Sequence, residues 1–303
     1  MDTPEILHHP KRLYIETFHG CNARCAMCSI GIWRRPAGQM KQEVFERVMK
    51  EAAPFKDGLV VVSLYSSGEP LMDKDIVERV AHAKRAGFPN VGFSTNAHFL
   101  TEKMSRRLFD AEVDWITISL DTPNRETFHE IRQRLDFTKV MKNVNRHIHI
   151  RNRLGSPSKV NIRFIEQDAN ANQFKDFLGY WSARLSEEAG DEVQRQPRNN
   201  WDLSLEAKED GFGDSPCHRL FDQCLVNSDG AIVLCCSDFN AEHAFGNVME
   251  TPLLAIWNSV ERRRVQETHR QGRRAELKPC EKCDIPELFP LMKEFPRKNK
   301  ESL

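Results

Sequence analysis

Three cysteines near the start of the chain, Cys21, Cys25 and Cys28, have the spacing C-x3-C-x2-C. This spacing offers three thiolates to one metal centre and leaves a fourth coordination position free. Iron–sulfur cubanes normally use four cysteines, so a three-cysteine site leaves one iron open to a small molecule, much as catalytic zinc sites keep an open position. A C-x2-C pair followed by paired histidines would indicate a zinc finger, and a lone C-x2-C pair a redox dithiol. The spacing therefore indicates a metal site that carries out chemistry.

A second group of cysteines lies far downstream in this chain of nine cysteines. Cys217, Gly230 and Cys235 follow the pattern C-x12-G-x4-C, and Cys280 and Cys283 add a C-x2-C pair. Disulfides are not expected because the N-terminus has no secretory signal. Two tight groups separated by a long gap are not typical of scattered buried thiols. Taken by itself, the second group predicts a further metal site, for which zinc with four cysteine ligands is the simplest interpretation.

The bulk composition excludes several classes of function. Lysine plus arginine and aspartate plus glutamate both number 44, so the formal net charge is zero and there is no basic footprint for nucleic acid. The most apolar run, Leu59–Tyr65, is far too short to cross a bilayer. We therefore expect a cytoplasmic protein that binds neither nucleic acid nor membrane.

Short β-rich runs alternate with longer amphipathic runs over the first two thirds of the chain, which predicts βαβ units and a parallel sheet. The predicted strands are Leu13–Phe18, Leu59–Tyr65, Val91–Thr95, Trp115–Leu120, Val160–Ile165 and a weak Glu192–Arg195. The predicted helices are Lys41–Ala52, Lys74–Ala86, Glu102–Asp110, Arg125–Arg132, Phe137–Arg151 and Asn172–Leu185. We expect His147 and His149, on the fifth helix, to face solvent or neighbouring carboxylates. The fold class is thus α/β, a partial (β/α)6 TIM-like barrel. In barrels of this class the functional groups lie at the C-terminal ends of the strands.

Beyond the barrel, the charged stretch Ser186–Ser215 predicts a connector. Leu220–Cys236 predicts a hairpin around an Asn-Ser-Asp-Gly turn, and a helix is expected at Pro252–Gln266. We expect a frayed C-terminal tail, which includes residues 296–300.

The cysteine motif after a first strand resembles the signature of the radical S-adenosylmethionine (SAM) superfamily. The resemblance implies that Cys21, Cys25 and Cys28 hold a [4Fe–4S] cluster whose open iron is chelated by the amino and carboxylate groups of SAM. Other positions that match SAM contacts of the family are Gly68, Glu69 and Pro70 after the second strand, Asn96, Ser119 and Arg163. In two departures, Ser67 replaces a usual glycine, and Met27 stands where an aromatic residue often touches adenine; the Met27 backbone would keep that contact.

The second cysteine group resembles the C-terminal auxiliary-cluster module called SPASM, including its Gly246-Asn247 and Ile256-Trp257 features. No further cysteine follows Cys283, so the chain is similar to the shortened twitch form, in which Cys217, Cys235, Cys280 and Cys283 would hold one [4Fe–4S] cluster. Zinc is the alternative. We expect a barrel domain at residues 1–200 and a small β-hairpin/helix auxiliary-cluster domain at 201–303.

The resemblance covers nearly the whole chain but leaves the reaction open. The single-auxiliary-cluster form is similar to an aminocyclitol dehydrogenase of aminoglycoside biosynthesis, which makes oxidation of a sugar or cyclitol the leading hypothesis. Redox-neutral epimerisation is an alternative, with Cys224 or Cys236 as the hydrogen-atom donor. Peptide modification is another, made less probable by the short segment Met1–Arg12 before the first strand. The expected partners are a small-molecule substrate and a flavodoxin- or ferredoxin-type electron donor.

Overall fold

The computed structural model describes residues 8–200, 215–281 and 283–286. Its main sheet has nine strands, at Arg12–Ile15 (β1), Val61–Ser63 (β2), Val91–Thr95 (β3), Trp115–Ser119 (β4), Lys159–Glu166 (β5), Glu192–Pro197 (β6), Gln223–Val226 (β7), Ala231–Val233 (β8) and Ala244–Asn247 (β9). The helices are Gln42–Ala52 (α1), Ile76–Arg85 (α2), Glu102–Asp110 (α3), Arg125–Ile131 (α4), Phe137–Leu154 (α5), Phe174–Ser182 (α6), Arg219–Asp222 (α7), Leu253–Trp257 (α8) and Val260–Arg270 (α9).

The sheet has the order β6-β5-β4-β3-β2-β1-β7-β8-β9. Strands β1 to β6 are all parallel, each joined to the next by a helical crossover, which confirms the predicted partial barrel. The barrel strands alternate between a face that lines the interior cavity and a face that packs under the helices. On β5, for example, Arg163 and Ile165 line the cavity, whereas Ile162 and Phe164 are buried in the core.

The C-terminal module continues this sheet. Strand β7 lies parallel to β1, with Arg12 opposite Gln223, and β8 and β9 extend the sheet in antiparallel fashion. The turn between β7 and β8 is the predicted Asn-Ser-Asp-Gly turn, in which Gly230 has φ +89°. The proposed domain boundary at residue 200 lies beside 201–214, which are outside the described residues, as are residues 296–300 of the predicted tail.

Most of the predicted elements match, with differences of one to three residues at their ends. The predicted helix Pro252–Gln266 is wrong as a single helix, because Ser259 begins a new one: its Oγ accepts a hydrogen bond from Arg262 N at 3.2 Å. The predicted connector contains β6, which the weak strand signal anticipated. None of the helices among the described residues is both long and apolar enough to span a membrane.

His147 also differs from the prediction, since it is fully buried. It lies on the face of α5 that packs against α3, where Nδ1 is 2.9 Å from Ser105 Oγ and the ring stacks on Phe109. Burial lowers the pKa of His147 to about 3, so the imidazole is neutral at pH 7. Its neighbour His149 is exposed, as predicted.

Candidate functional site

The three N-terminal cysteines lie in the loop that follows β1. Short strand pairings hold this loop: Phe18–His19 pairs with Gly38–Gln39, and Cys25 pairs with Arg132. All three thiols line one cavity of about 400 Å³, within the range of small-molecule sites of about 300–1,000 Å³. Burial, with a smaller effect of the Glu69 carboxylate, raises the pKa of Cys21 to about 12. Since metal ligation requires thiolates, binding a cluster here is coupled to proton release.

The loop after β2 docks directly on the cysteine loop at Gly68. Gly68 has φ +92°, and a Cβ there would lie 2.5 Å from Phe18 O and 2.6 Å from Gly20 O. The next residue, Glu69, donates its backbone N–H to Gly20 O at 2.9 Å. Only glycine permits this close approach of two backbones. The contact therefore fixes Glu69 relative to Cys21.

The Glu69 carboxylate is buried and held by three donors. Oε1 accepts hydrogen bonds from Thr95 Oγ1 at 2.6 Å and from Leu71 N at 3.1 Å, and Oε2 accepts one from Asn96 N at 2.8 Å. Burial raises the pKa of Glu69 to about 7, against the opposing effect of these hydrogen bonds. A fixed, partly neutralised carboxylate of this kind is stabilised by a cationic ligand group such as an amine.

The structure brings the predicted SAM contacts to one cavity. Gly68, Glu69, Asn96, Ser119, Arg163 and Met27 all line it together with the three cysteines. Pro70 is the exception: it begins the buried 3-10 turn Pro70–Met72 behind Glu69. Asn96 donates to Asn22 Oδ1 at 2.9 Å and lies 3.7 Å from Cys21 Sγ, measured from its Nδ2. Arg163 donates to Gln194 Oε1 at 3.5 Å, while its buried Nε has no hydrogen-bond partner.

Sequence reasoning missed Arg132, which lies at the end of α4 and lines the same cavity. Its Nη1 is 3.5 Å from Cys25 Sγ, and its Nη2 is 2.5 Å from Asp121 Oδ2. The buried Nε of Arg132 has no hydrogen-bond partner among the described residues. Burial opposes the charge of Arg132, but Asp121 and Cys25 outweigh it and raise the pKa of the guanidinium. No periodicity or motif in the sequence signalled this contact.

The second cysteine group surrounds a smaller cavity, which Cys217, Cys235, Cys280 and Cys283 all line. Burial and the neighbouring thiols raise the pKa of Cys235, and Arg274 Nη1 donates to the carbonyls of Cys280 at 2.9 Å and Cys283 at 2.8 Å. In the described parts of the chain, no three histidine, cysteine, aspartate or glutamate side chains are spaced to bind one metal ion. The four thiols thus share one cavity.

The two cavities adjoin at Arg219, which lines both. Arg219 Nη1 donates to Cys236 Sγ at 2.8 Å, and Cys236 lines the larger cavity. Cys224, by contrast, lines neither. On β7, Gln223 and Leu225 face the larger cavity, so strand alternation directs Cys224 into the core, where it is 1% exposed and burial raises its pKa to about 12.

A buried carboxylate joins the cysteine loop to the C-terminal module. Glu16 Oε1 accepts hydrogen bonds from Arg35 Nη2 at 2.6 Å and from Ser228 N at 3.1 Å, and Oε2 lies 3.1 Å from His19 Nδ1. Burial would raise the pKa of Glu16, but His19 and Arg35 together lower it. One ionised group thus connects the end of β1, the cysteine loop and the β7–β8 turn.

Comparison with solved structures shows the same fold in other proteins. A structure of BtrN in complex with AdoMet and 2-DOIA is 17% identical, with a TM-score of 0.63 over 91% of this chain and 94% of BtrN. Streptococcus suis SuiB bound to the precursor peptide SuiA is 16% identical, with a TM-score of 0.63 over 92% of this chain and 70% of SuiB. These similarities establish the fold.

Curated relatives match over shorter stretches. The tungsten-containing aldehyde ferredoxin oxidoreductase cofactor-modifying protein of Pyrococcus furiosus is 32% identical over 37% of this chain and 31% of its own length. A probable GTP 3′,8-cyclase of Methanococcus maripaludis is 28% identical over 53% of this chain and 51% of its own length. The matches thus span between a third and a half of those relatives.

Family models match both cysteine regions. Residues 15–154, which include the three-cysteine loop, match the radical SAM superfamily model. Residues 217–284, which include the four cysteines of the second cavity, match the SPASM iron–sulfur cluster-binding domain. The chain therefore contains a radical SAM domain, followed by a SPASM-type iron–sulfur cluster-binding module.

Proposed function

We propose that this enzyme oxidises a polar small molecule, such as a sugar or cyclitol, by removing hydrogen from a carbinol carbon. The observation that carries the proposal is the meeting of the two cavities at Arg219 and Cys236. Oxidation of a carbinol to a carbonyl removes a hydrogen atom, a proton and an electron. A site for the electron must therefore adjoin the substrate, and the module places its four cysteines beside the larger cavity.

The residues of the larger cavity fit SAM and a cluster. Cys21, Cys25 and Cys28 would hold a [4Fe–4S] cluster, Glu69 would accept a hydrogen bond from the SAM amino group, and Asn96 and Ser119 would contact the ribose. The backbone of Met27 would face the adenine. When bound, the cluster and SAM together supply one-electron cleavage to methionine and a 5′-deoxyadenosyl radical that abstracts hydrogen.

Two guanidinium groups are available for the SAM carboxylate. Arg163 is the one expected from the resemblance, and Arg132 lies nearer to the cluster ligands, with Nη1 3.5 Å from Cys25 Sγ. Cys217, Cys235, Cys280 and Cys283 would hold one auxiliary cluster, which Arg219 and Arg274 border. An external flavodoxin or ferredoxin would deliver the first electron.

The names of the relatives support a small-molecule substrate. The probable GTP 3′,8-cyclase is named for a nucleotide, and the BtrN complex contains the small molecule 2-DOIA. SuiB binds a precursor peptide, so a peptide substrate stays an alternative.

The test is a stoichiometric assay under anaerobic conditions with reconstituted enzyme and a reductant. One SAM consumed for each oxidised product supports the proposal, and a product of unchanged oxidation state refutes it. Cys21→Ala should abolish formation of 5′-deoxyadenosine. Cys280→Ala should retain part of that cleavage but lose the oxidised product, because the second electron then has no acceptor. Full product formation by Cys280→Ala would contradict the role of the module.

Epimerisation is the second candidate, and Cys236 is the observation that favours it. A thiol that lines the substrate cavity is placed to return a hydrogen atom to a substrate radical, which breaks S–H and forms C–H. The resulting thiyl radical needs one electron and one proton, and the auxiliary site adjoins Cys236 through Cys235. In deuterated water, an epimerase places solvent deuterium at the inverted carbon. Cys236→Ala should then leave the substrate radical without a hydrogen donor and stop inversion. The core variant Cys224→Ala should still invert the carbon.

A further inference from the structure

The charges around the larger cavity are strongly unbalanced. Its described lining residues include four arginines, Arg132, Arg163, Arg198 and Arg219, but the only carboxylate among them is that of Glu69. The whole chain, in contrast, has equal numbers of acidic and basic residues. An excess of guanidinium groups in a cavity attracts anionic groups of a ligand.

Two of the four arginines have negative or polarisable partners within the protein. Arg132 lies 2.5 Å from Asp121, and Arg219 donates to Cys236 Sγ at 2.8 Å. Arg163 has a single long hydrogen bond to the neutral Gln194 and a buried Nε without a partner. Arg198 makes no hydrogen bond or ion pair in the described part of the chain.

Topology separates Arg163 and Arg198 from the expected SAM contacts. Glu69, Asn96 and Ser119 are at the ends of β2, β3 and β4, whereas Arg163 is on β5 and Arg198 directly follows β6. Strands β5 and β6 pair in parallel, with Arg163 opposite Gln194. The SAM carboxylate belongs beside the open iron. Arg132, in contact with Cys25, is the nearer guanidinium to that position.

We infer that the substrate carries an anionic group, a phosphate or a carboxylate, which Arg163 and Arg198 bind on the β5–β6 side of the cavity while Arg132 takes the carboxylate of SAM. This inference rests on the proposed function, because it identifies the substrate class of the same site. Arginine suits either anion, since its planar fork binds two oxygens at once. An anionic sugar or cyclitol fits this cavity better than an aminocyclitol, whose ammonium group the arginines would repel.

The test uses the reconstituted, SAM-saturated enzyme and inorganic pyrophosphate as the probe, with affinities measured by anaerobic calorimetry. We expect saturable pyrophosphate binding that weakens about tenfold or more in Arg163→Met and in Arg198→Gln, because each variant loses a charge-assisted hydrogen bond. Arg163→Lys should recover part of the affinity. Arg153→Gln, an exposed arginine in the last turn of α5, is the matched control and should bind as the wild type does.

SAM affinity separates the two arginine roles. Arg132→Met should weaken SAM binding and keep pyrophosphate binding, and Arg163→Met should do the reverse. The inference is overturned if pyrophosphate does not bind, if all variants bind it equally, or if Arg163→Met loses SAM instead. Cleavage of SAM by the same preparations tests the proposed function separately. An enzyme that cleaves SAM but ignores pyrophosphate contradicts the inference alone.

Discussion

Replacement of Gly68 by alanine should damage the SAM site by pushing the β2 loop away from the cysteine loop. The new Cβ would lie 2.5 Å from Phe18 O and 2.6 Å from Gly20 O, and Gly68 has φ +92°. The backbone conformation costs about 1–2 kcal/mol for a residue with a side chain. Separation of the loops also loses the hydrogen bond from Glu69 N to Gly20 O, worth about 0.5–1.5 kcal/mol. The expected loss of stability is about 1.5–3.5 kcal/mol, which lowers Tm by roughly 4 °C.

The effect on chemistry should be larger than the effect on stability, because Glu69 moves relative to Cys21. We expect SAM cleavage by Gly68→Ala to fall at least about tenfold, since catalytic groups displaced by about 1 Å lose activity on this scale. Iron and sulfide content, Tm and formation of 5′-deoxyadenosine are the measurements. Gly31→Ala is the matched control, because Gly31 follows the cysteines and nothing lies within 4 Å of its Cβ position. Wild-type cleavage and Tm in Gly68→Ala would refute the reasoning.

Three further predictions follow from buried groups. Arg132→Met should lower the reduction potential of the N-terminal cluster, because the cationic guanidinium 3.5 Å from Cys25 Sγ stabilises the negative charge added on reduction. An EPR redox titration without SAM measures this potential, and an unchanged value contradicts the prediction. The pKa of His147 is about 3 in the folded protein and about 6.5 in the unfolded chain, so stability is lost as pH falls below about 6.5. His147→Gln should remove about 1 kcal/mol of the difference between pH 7 and 5.5 in denaturant unfolding, and an equal pH dependence would show that another group causes it. Cys224→Ala should lower stability by about 1 kcal/mol for a small core cavity yet leave SAM cleavage unchanged, and a loss of cleavage at normal stability would contradict its placement away from Cys236.

The contacts of Glu16 between the cysteine loop and the C-terminal module explain why the two cysteine regions could not be placed relative to each other from the sequence. Glu16 reads as an isolated acidic residue at the end of a strand. In the fold its carboxylate is buried and receives Arg35 from the cysteine loop and Ser228 from a turn 212 residues away. A buried carboxylate needs such donors, but the sequence does not say which ones meet it.

The sequence by itself determined the barrel and predicted the two sets of cysteine ligands. Cysteine spacing identifies which thiols can share a centre, and alternating strands and helices force strand ends to one rim, so Gly68, Glu69, Asn96 and Ser119 could be assigned to one site. These are local or periodic signals. Tertiary structure alone decided which of two spare cysteines faces that site: Cys236 does, and Cys224 does not. It also brought Arg132 to Cys25 from 107 residues away and set Arg219 between the cavities. The physical reason is that such contacts depend on how the strands curve and how side chains alternate across the interior of the partial barrel, and spacing along the chain does not record either.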